Sequence, residues 1–473
     1  MGSISNQRKI QHLFSRAAFG ISPQELEKRK KQSPVEAVEE LFRESERFTD
    51  LQAVSLEQME AMSPHDKKNL NEEERKKSRE LRRKSIQDLN LTWLEKLWKD
   101  PARLRERMTF FWHGHFACRL EAPLALQDLN NIHRRDALGS FREMLMDVSK
   151  SAAMLQFLNN QQNKKMHPNE NFAREVMELF TLGRGNYTEQ DIKEGARAFT
   201  GWSFEMSSGQ FVFKTNQHDD AEKSFLGKTG NFKGEDILEI LLEQKETALY
   251  VSRKLYRFFV NDREDQGQIK ELADVFYNSG YRIDTVMKHM FSSDWFYSQE
   301  NIGAKIKSPV DLLVGLNRLI PITYDNKDGL LLFQRSLGQA LFYPPNVSGW
   351  AGGKSWIDSS SLMFRLKTPS LLVNEGHIDI IPKDDLLDGK PATMNDSMKK
   401  EELAGKKKKF NPKADWKEFL AGFAEGASKE EIIEMMLVAK PSAALLKSLV
   451  EFKQDNHREF IMELLSTPEY QMA

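Results

Sequence analysis

Two histidines stand one residue apart in FFWHGHF, Phe110 to Phe116, bracketed by large aromatic side chains. Each imidazole in so apolar a stretch needs a partner for both ring nitrogens, and each can act as acid, base or metal ligand. The competing reading of His113 and His115 is a pair of satisfied core or helix-end histidines. Further along, Asn171, Glu175 and Glu178 recur at i, i+4 and i+7 in NFAREVMELFTL, which puts them on one face of a helix. Phe172, Val176, Leu179 and Phe180 make the remainder of that helix apolar. Carboxylates there have to be neutralised by a metal, a base or protonation, or else paired with Arg174 or Arg197.

Two further segments carry weaker signals. His218-Asp219 in QHDDAEKSFLG says little alone, because a second His-Asp occurs at His65-Asp66. FYPPNVSGWAGGKSW, Phe342 to Trp356, has too much proline and glycine for regular structure. Its Trp350 and Trp356 can wall a flat ligand such as a sugar, or pin the loop to the core. The chain contains no GxSxG, P-loop, strand-borne GxGxxG or HExxH. Its single cysteine, Cys118, leaves any metal to His and carboxylate ligands.

The elements that must position these groups are mostly helical. Ser22-Pro23-Gln24-Glu25 opens a helix, and a long charged one is expected from Pro64 to about Leu104, amphipathic from Leu89 onward. The Asn171 helix should stop at Gly183, and Thr188 to Asp191 should open a second helix closing at Gly201. A small hairpin is expected near residues 203–215, helices from Ile237 to Leu319, a solvated linker or insertion at 382–414, and packed C-terminal helices over 415–473.

The 473 residues carry 69 Lys and Arg against 70 Asp and Glu, so no global field favours nucleic acid. No apolar run is long enough to span a membrane, and the first residues lack an export signal, which points to the cytoplasm.

HLFSRAAFG (His12 to Gly20), FWHGHF, the block from Asn171 to Trp202, QHDDAEKSFLG and FYPPNVSGWAGGKSW together resemble the bacterial domain-of-unknown-function family 1800. The resemblance implies one large, mainly α domain over 1–473 and a bacterial source. It also implies a frequent neighbour, a sulfatase-like or phosphatase-like protein of family 1501, and export in many relatives, so the periplasm is the alternative compartment. His218-Asp219 lies inside a family motif and gains weight from it.

The resulting expectation is an enzyme with a divalent metal, Zn, Mn or Fe, held by His113, His115, Glu175, Glu178, His218 and Asp219. His113, His115, Glu175 and Glu178 would carry a hydrolysis or an oxidation, and Asn171, Arg174, Trp202 and Trp350 would contact substrate. The alternatives are a non-catalytic helical scaffold for the sulfatase-like partner, and a carbohydrate-binding protein.

Overall fold

Helices form wherever the sequence supplies both an apolar stripe and a cap. In the computed structural model, which describes residues 4–55, 71–374, 410–451 and 456–473, α1 (Asn6–Ala17), α2 (Pro23–Arg29) and α3 (Pro34–Glu44) each begin on a serine whose hydroxyl accepts a first-turn amide. The long helix α4 runs Glu72–Lys99 from an Asn71 cap. Its opening turns are exposed, and it enters the core from Ser85, burying Ile86, Leu89, Trp93, Leu94 and Leu97. It stops ahead of Pro101, so the expected continuation to Leu104 belongs to a separate helix; residues 64–70 lie outside the described residues.

That next helix, α5 (Arg103–His115), is buried from Leu104 through His113 and again at His115. Its charged positions survive burial because each has a partner. Arg105 donates to the Ser45 and Arg134 carbonyls, and Arg107 to the Arg16 carbonyl and Asp311. Glu106 accepts from Arg134 and from Trp93 Nε1, at 2.5 and 3.0 Å. α6 (Pro123–Asp136) packs on α5, α7 (Phe141–Lys150) reaches it through Phe141 against Trp112, and α8 (Ala152–Phe157) packs on α6 and α7.

The Asn171 segment begins as α9 (Asn171–Glu175) and widens into a π-helix over Val176–Thr181, ending at Gly183 with φ +77°. α10 (Glu189–Ala198) opens on a Thr188/Asp191 capping box, as expected, and leads through Gly201 into the hairpin β1 (Trp202–Phe204) and β2 (Phe211–Phe213). A second hairpin, β3 (Lys223–Phe225) and β4 (Lys228–Gly230), precedes α11 (Gly234–Glu243), α12 (Lys245–Phe259), α13 (Gln266–Asn278), α14 (Ile283–Ser292) and α15 (Pro309–Leu319).

β5 (Ile322–Tyr324) pairs antiparallel with β6 (Pro412–Ala414), and Phe410 stacks on Tyr324. The last residues of the expected linker are therefore strand and core, drawn in by an aromatic side chain; 382–409 lie outside the described residues. The chain continues through α16 (Asp328–Ser336) and α17 (Ser359–Val373) to α18 (Trp416–Leu420), α19 (Lys429–Met436), α20 (Ala443–Glu451) and α21 (His457–Leu465). One hydrophobic core joins Ile10 to Tyr470, and no described helix is long and apolar enough to cross a membrane.

Candidate functional site

The two histidines of α5 have separate environments. His113 Nε2 accepts the backbone N–H of Phe342 at 3.2 Å, which requires the proton on Nδ1. Its ring lies 4.9 Å from Trp93, 5.1 Å from Phe342 and 5.7 Å from Trp350, and burial pushes its pKa down to about 3. Phe342 has φ +66°, an uncommon backbone for a bulky residue, and His113 holds its amide there. His113 is thus the latch of the 342–356 loop.

His115 faces the π-helix. Its Nε2–H donates to the Phe180 carbonyl at 3.1 Å, leaving Nδ1 to accept from Lys254 Nζ at 3.3 Å. Lys254, on α12, also donates to the Leu179 carbonyl at 3.0 Å. The widened turn presents these two consecutive carbonyls to α5 and α12, a common use of π-helical geometry at functional sites. Burial, with the neighbouring Lys254 cation second, keeps His115 neutral well below the usual imidazole range. Both its nitrogens are occupied.

Lys254 opens into a cavity of about 330 Å³. α5 supplies Arg107, Phe111 and His115 to its wall, α12 supplies Lys254, Arg257 and Phe258, and Trp350 closes it from the loop. Four cations and two carboxylates, Asp262 and Asp311, line it. Arg107 pairs with Asp311 and Lys305 with Asp262 at 2.6 Å, while Arg257 meets Glu264 only at 4.0 Å. Lys254 has no carboxylate partner among the described residues, only the two neutral acceptors and the Tyr250 ring at 4.9 Å. Burial and then Arg257 push its pKa down to about 7.

The other residues singled out in the sequence form different networks. Glu178 accepts from Tyr187 Oη at 2.8 Å and pairs with Arg184, neither Arg174 nor Arg197. Burial alone would raise its pKa, but these two partners bring it below the carboxylate value, whereas burial and Glu178 raise that of Glu175. The Asn171, Glu175, Glu178 face lies toward the outside, with Asn171 exposed and donating to the Leu158 carbonyl at 3.1 Å. Arg174 pairs with Glu189 at 2.8 Å.

His218 Nδ1 bonds the Thr200 carbonyl at 2.9 Å, and Asp219 pairs with Arg197 at 2.7 Å while its amide donates to Thr200 Oγ1 at 2.8 Å. That knot ties the segment after the hairpin to α10. Trp202 packs on Phe199 and Phe211 at 5.1 and 5.3 Å. So the structure brings His115 to the Glu178-bearing helix through the Phe180 carbonyl and ring, and not through a carboxylate, and of the four expected substrate contacts only Trp350 lines the cavity. Among the described residues, no three His, Cys, Asp or Glu side chains gather closely enough to hold a metal ion. The convergence expected of His113, His115, Glu175, Glu178, His218 and Asp219 is therefore not what the structure builds.

Lys254 and Arg257 were not singled out by sequence reasoning. The available signal was three cations, Arg253, Lys254 and Arg257, the last two at i and i+3, inside the otherwise apolar helix YVSRKLYRFFV.

Comparison with known protein families matches residues 12–472 to the family described as a protein of unknown function, DUF1800. No curated protein and no solved structure gave a match.

Proposed function

The chain belongs to the DUF1800 family, and from that premise we propose that its cleft binds a small anionic ligand with a flat or apolar body. One observation carries the reading: among the described residues no carboxylate pairs with Lys254 where it reaches the cleft wall, and Arg257 stands one turn away on the same helix. An uncompensated cation in a partly desolvated wall is costly to the free protein, and a carboxylate, phosphate or sulfate entering the cleft removes that cost. The cavity volume is in the range of small-molecule sites. Phe111, Phe258 and Trp350 offer ring faces to the remainder of the ligand.

This reading puts cationic side chains where the sequence suggested a metal. It keeps Trp350 as a ligand contact and makes His113 a support for the loop that carries it. Calorimetric titration of the full chain with inorganic phosphate and with sulfate is the test. Binding to the wild type that weakens at least tenfold in Lys254→Met supports the site; equal affinity in the two proteins rejects it.

A further inference from the structure

Lys254, His115 and the Phe180 carbonyl stand in a line: an amine, a base within hydrogen-bond reach, and a group that orients the base. We propose that Lys254 is a nucleophile that condenses with the carbonyl group of an anionic aldehyde or ketone held in the cleft, with His115 Nδ1 as its proton acceptor. The inference rests on the anion-binding reading and adds a reaction to it.

The arrangement has the features an activated amine requires. Lys254 Nζ donates to Leu179 O and His115 Nδ1, which leaves one N–H direction for the cleft that the residue lines. No carboxylate among the described residues holds it as an ammonium ion, and burial, then Arg257 beside it, disfavours the charged form. The Phe180 carbonyl fixes the His115 tautomer with its lone pair on Nδ1, toward the amine.

The step balances without any further reagent. His115 Nδ1 takes one proton from the Lys254 ammonium, and the freed lone pair forms a bond to the carbonyl carbon. The amine's second proton moves to the former carbonyl oxygen, giving a carbinolamine. That hydroxyl departs as water with the proton returned from His115, leaving a protonated C=N bond to Nζ. Nothing is oxidised or reduced.

Glyoxylate, which joins an aldehyde to a carboxylate, is the probe. The full chain is incubated with glyoxylate and cyanoborohydride at pH 7, digested, and its lysines mapped by mass spectrometry. The expected result is a carboxymethyl adduct on Lys254 ahead of every other lysine, slowed by inorganic phosphate and absent in Lys254→Arg. In His115→Gln, whose amide still donates to the Phe180 carbonyl, the adduct should form at least tenfold more slowly at pH 7 and recover as pH rises to 9. Adducts spread over surface lysines with Lys254 unmodified overturn the inference. Phosphate titration of the same preparation separates the two readings: retained binding means that only the covalent step has failed, and lost binding means that the cleft reading has failed with it.

Discussion

Gly349 lies directly against the carbonyl oxygen of Gly114, so close that a Cβ at position 349 would stand 2.4 Å from it. With φ +75°, Gly349 also needs a backbone region that other residues rarely enter. The glycine between the two histidines and the glycine before Trp350 are thus one contact, and it seats Trp350 in the wall of the cleft.

Gly349→Ala should therefore lower stability by about 2 kcal/mol or more, from the steric clash and the strained backbone together. Chemical denaturation measures it. A change below about 0.5 kcal/mol would show that the loop does not bear on α5.

His113→Ala leaves the buried Phe342 N–H without an acceptor and removes three ring contacts, so a loss of about 2–4 kcal/mol is expected. The loss depends on pH in a defined direction. Folding lowers the His113 pKa to about 3, so the unfolded chain binds a proton there that the folded chain does not, and the histidine's contribution shrinks as pH falls from about 6.5 toward 3. The gap between wild type and variant should narrow over that window in denaturation curves.

Lys254→Met should behave in the opposite way. It removes a cation that has no counter-charge among the described residues, so the variant should be as stable as the wild type or more stable by on the order of 1–2 kcal/mol at pH 7, while losing anion binding. Because folding lowers the Lys254 pKa to about 7, its protonation opposes folding. The variant's advantage should vanish near pH 10, grow as pH falls to about 7, and stay level below that. His115, Arg257 and the Tyr250 ring are the groups facing this ammonium, and in the ligand-free protein burial, then Lys254, holds the His115 pKa well below the usual imidazole value.

Asp219→Asn should lower stability by about 1–2 kcal/mol through its broken ion pair, Glu178→Gln should lower it less because its partner Arg184 is exposed, and both should leave phosphate affinity within twofold of wild type. Prior dialysis against a chelator should leave that affinity unchanged as well. A tenfold loss in either variant, or on chelation, would restore the single His and carboxylate centre.

Local signals were legible in the sequence. The Ser22 and Thr188 caps, the Gly183 stop and the hairpin near 203–215 depend on residues within a few positions of each other, and they fold where the sequence put them. His113, His115 and Trp350 were also legible as special, because polar groups in apolar runs demand partners. Their partners were not. Phe342 N, Phe180 O and Lys254 come from segments 65 to 229 residues away and, for the first two, from backbone atoms that carry no side-chain signature. The π-helix that exposes the Leu179 and Phe180 carbonyls has no pattern distinct from an α-helix over so short a stretch. For Glu175 and Glu178 the periodicity was right and the direction wrong: the three polar positions share a face, and that face lies toward the outside.

Anion binding in the cleft beside Lys254 can be tested by crystallography. Selenate, a sulfate analogue with a strong anomalous signal, can be soaked at millimolar concentration into crystals of the full chain and located directly. An anomalous peak is expected within hydrogen-bond distance of Lys254 Nζ and within reach of Arg257, lost in Lys254→Met crystals. Selenate ordered elsewhere on the protein, with nothing in the cleft, would contradict it.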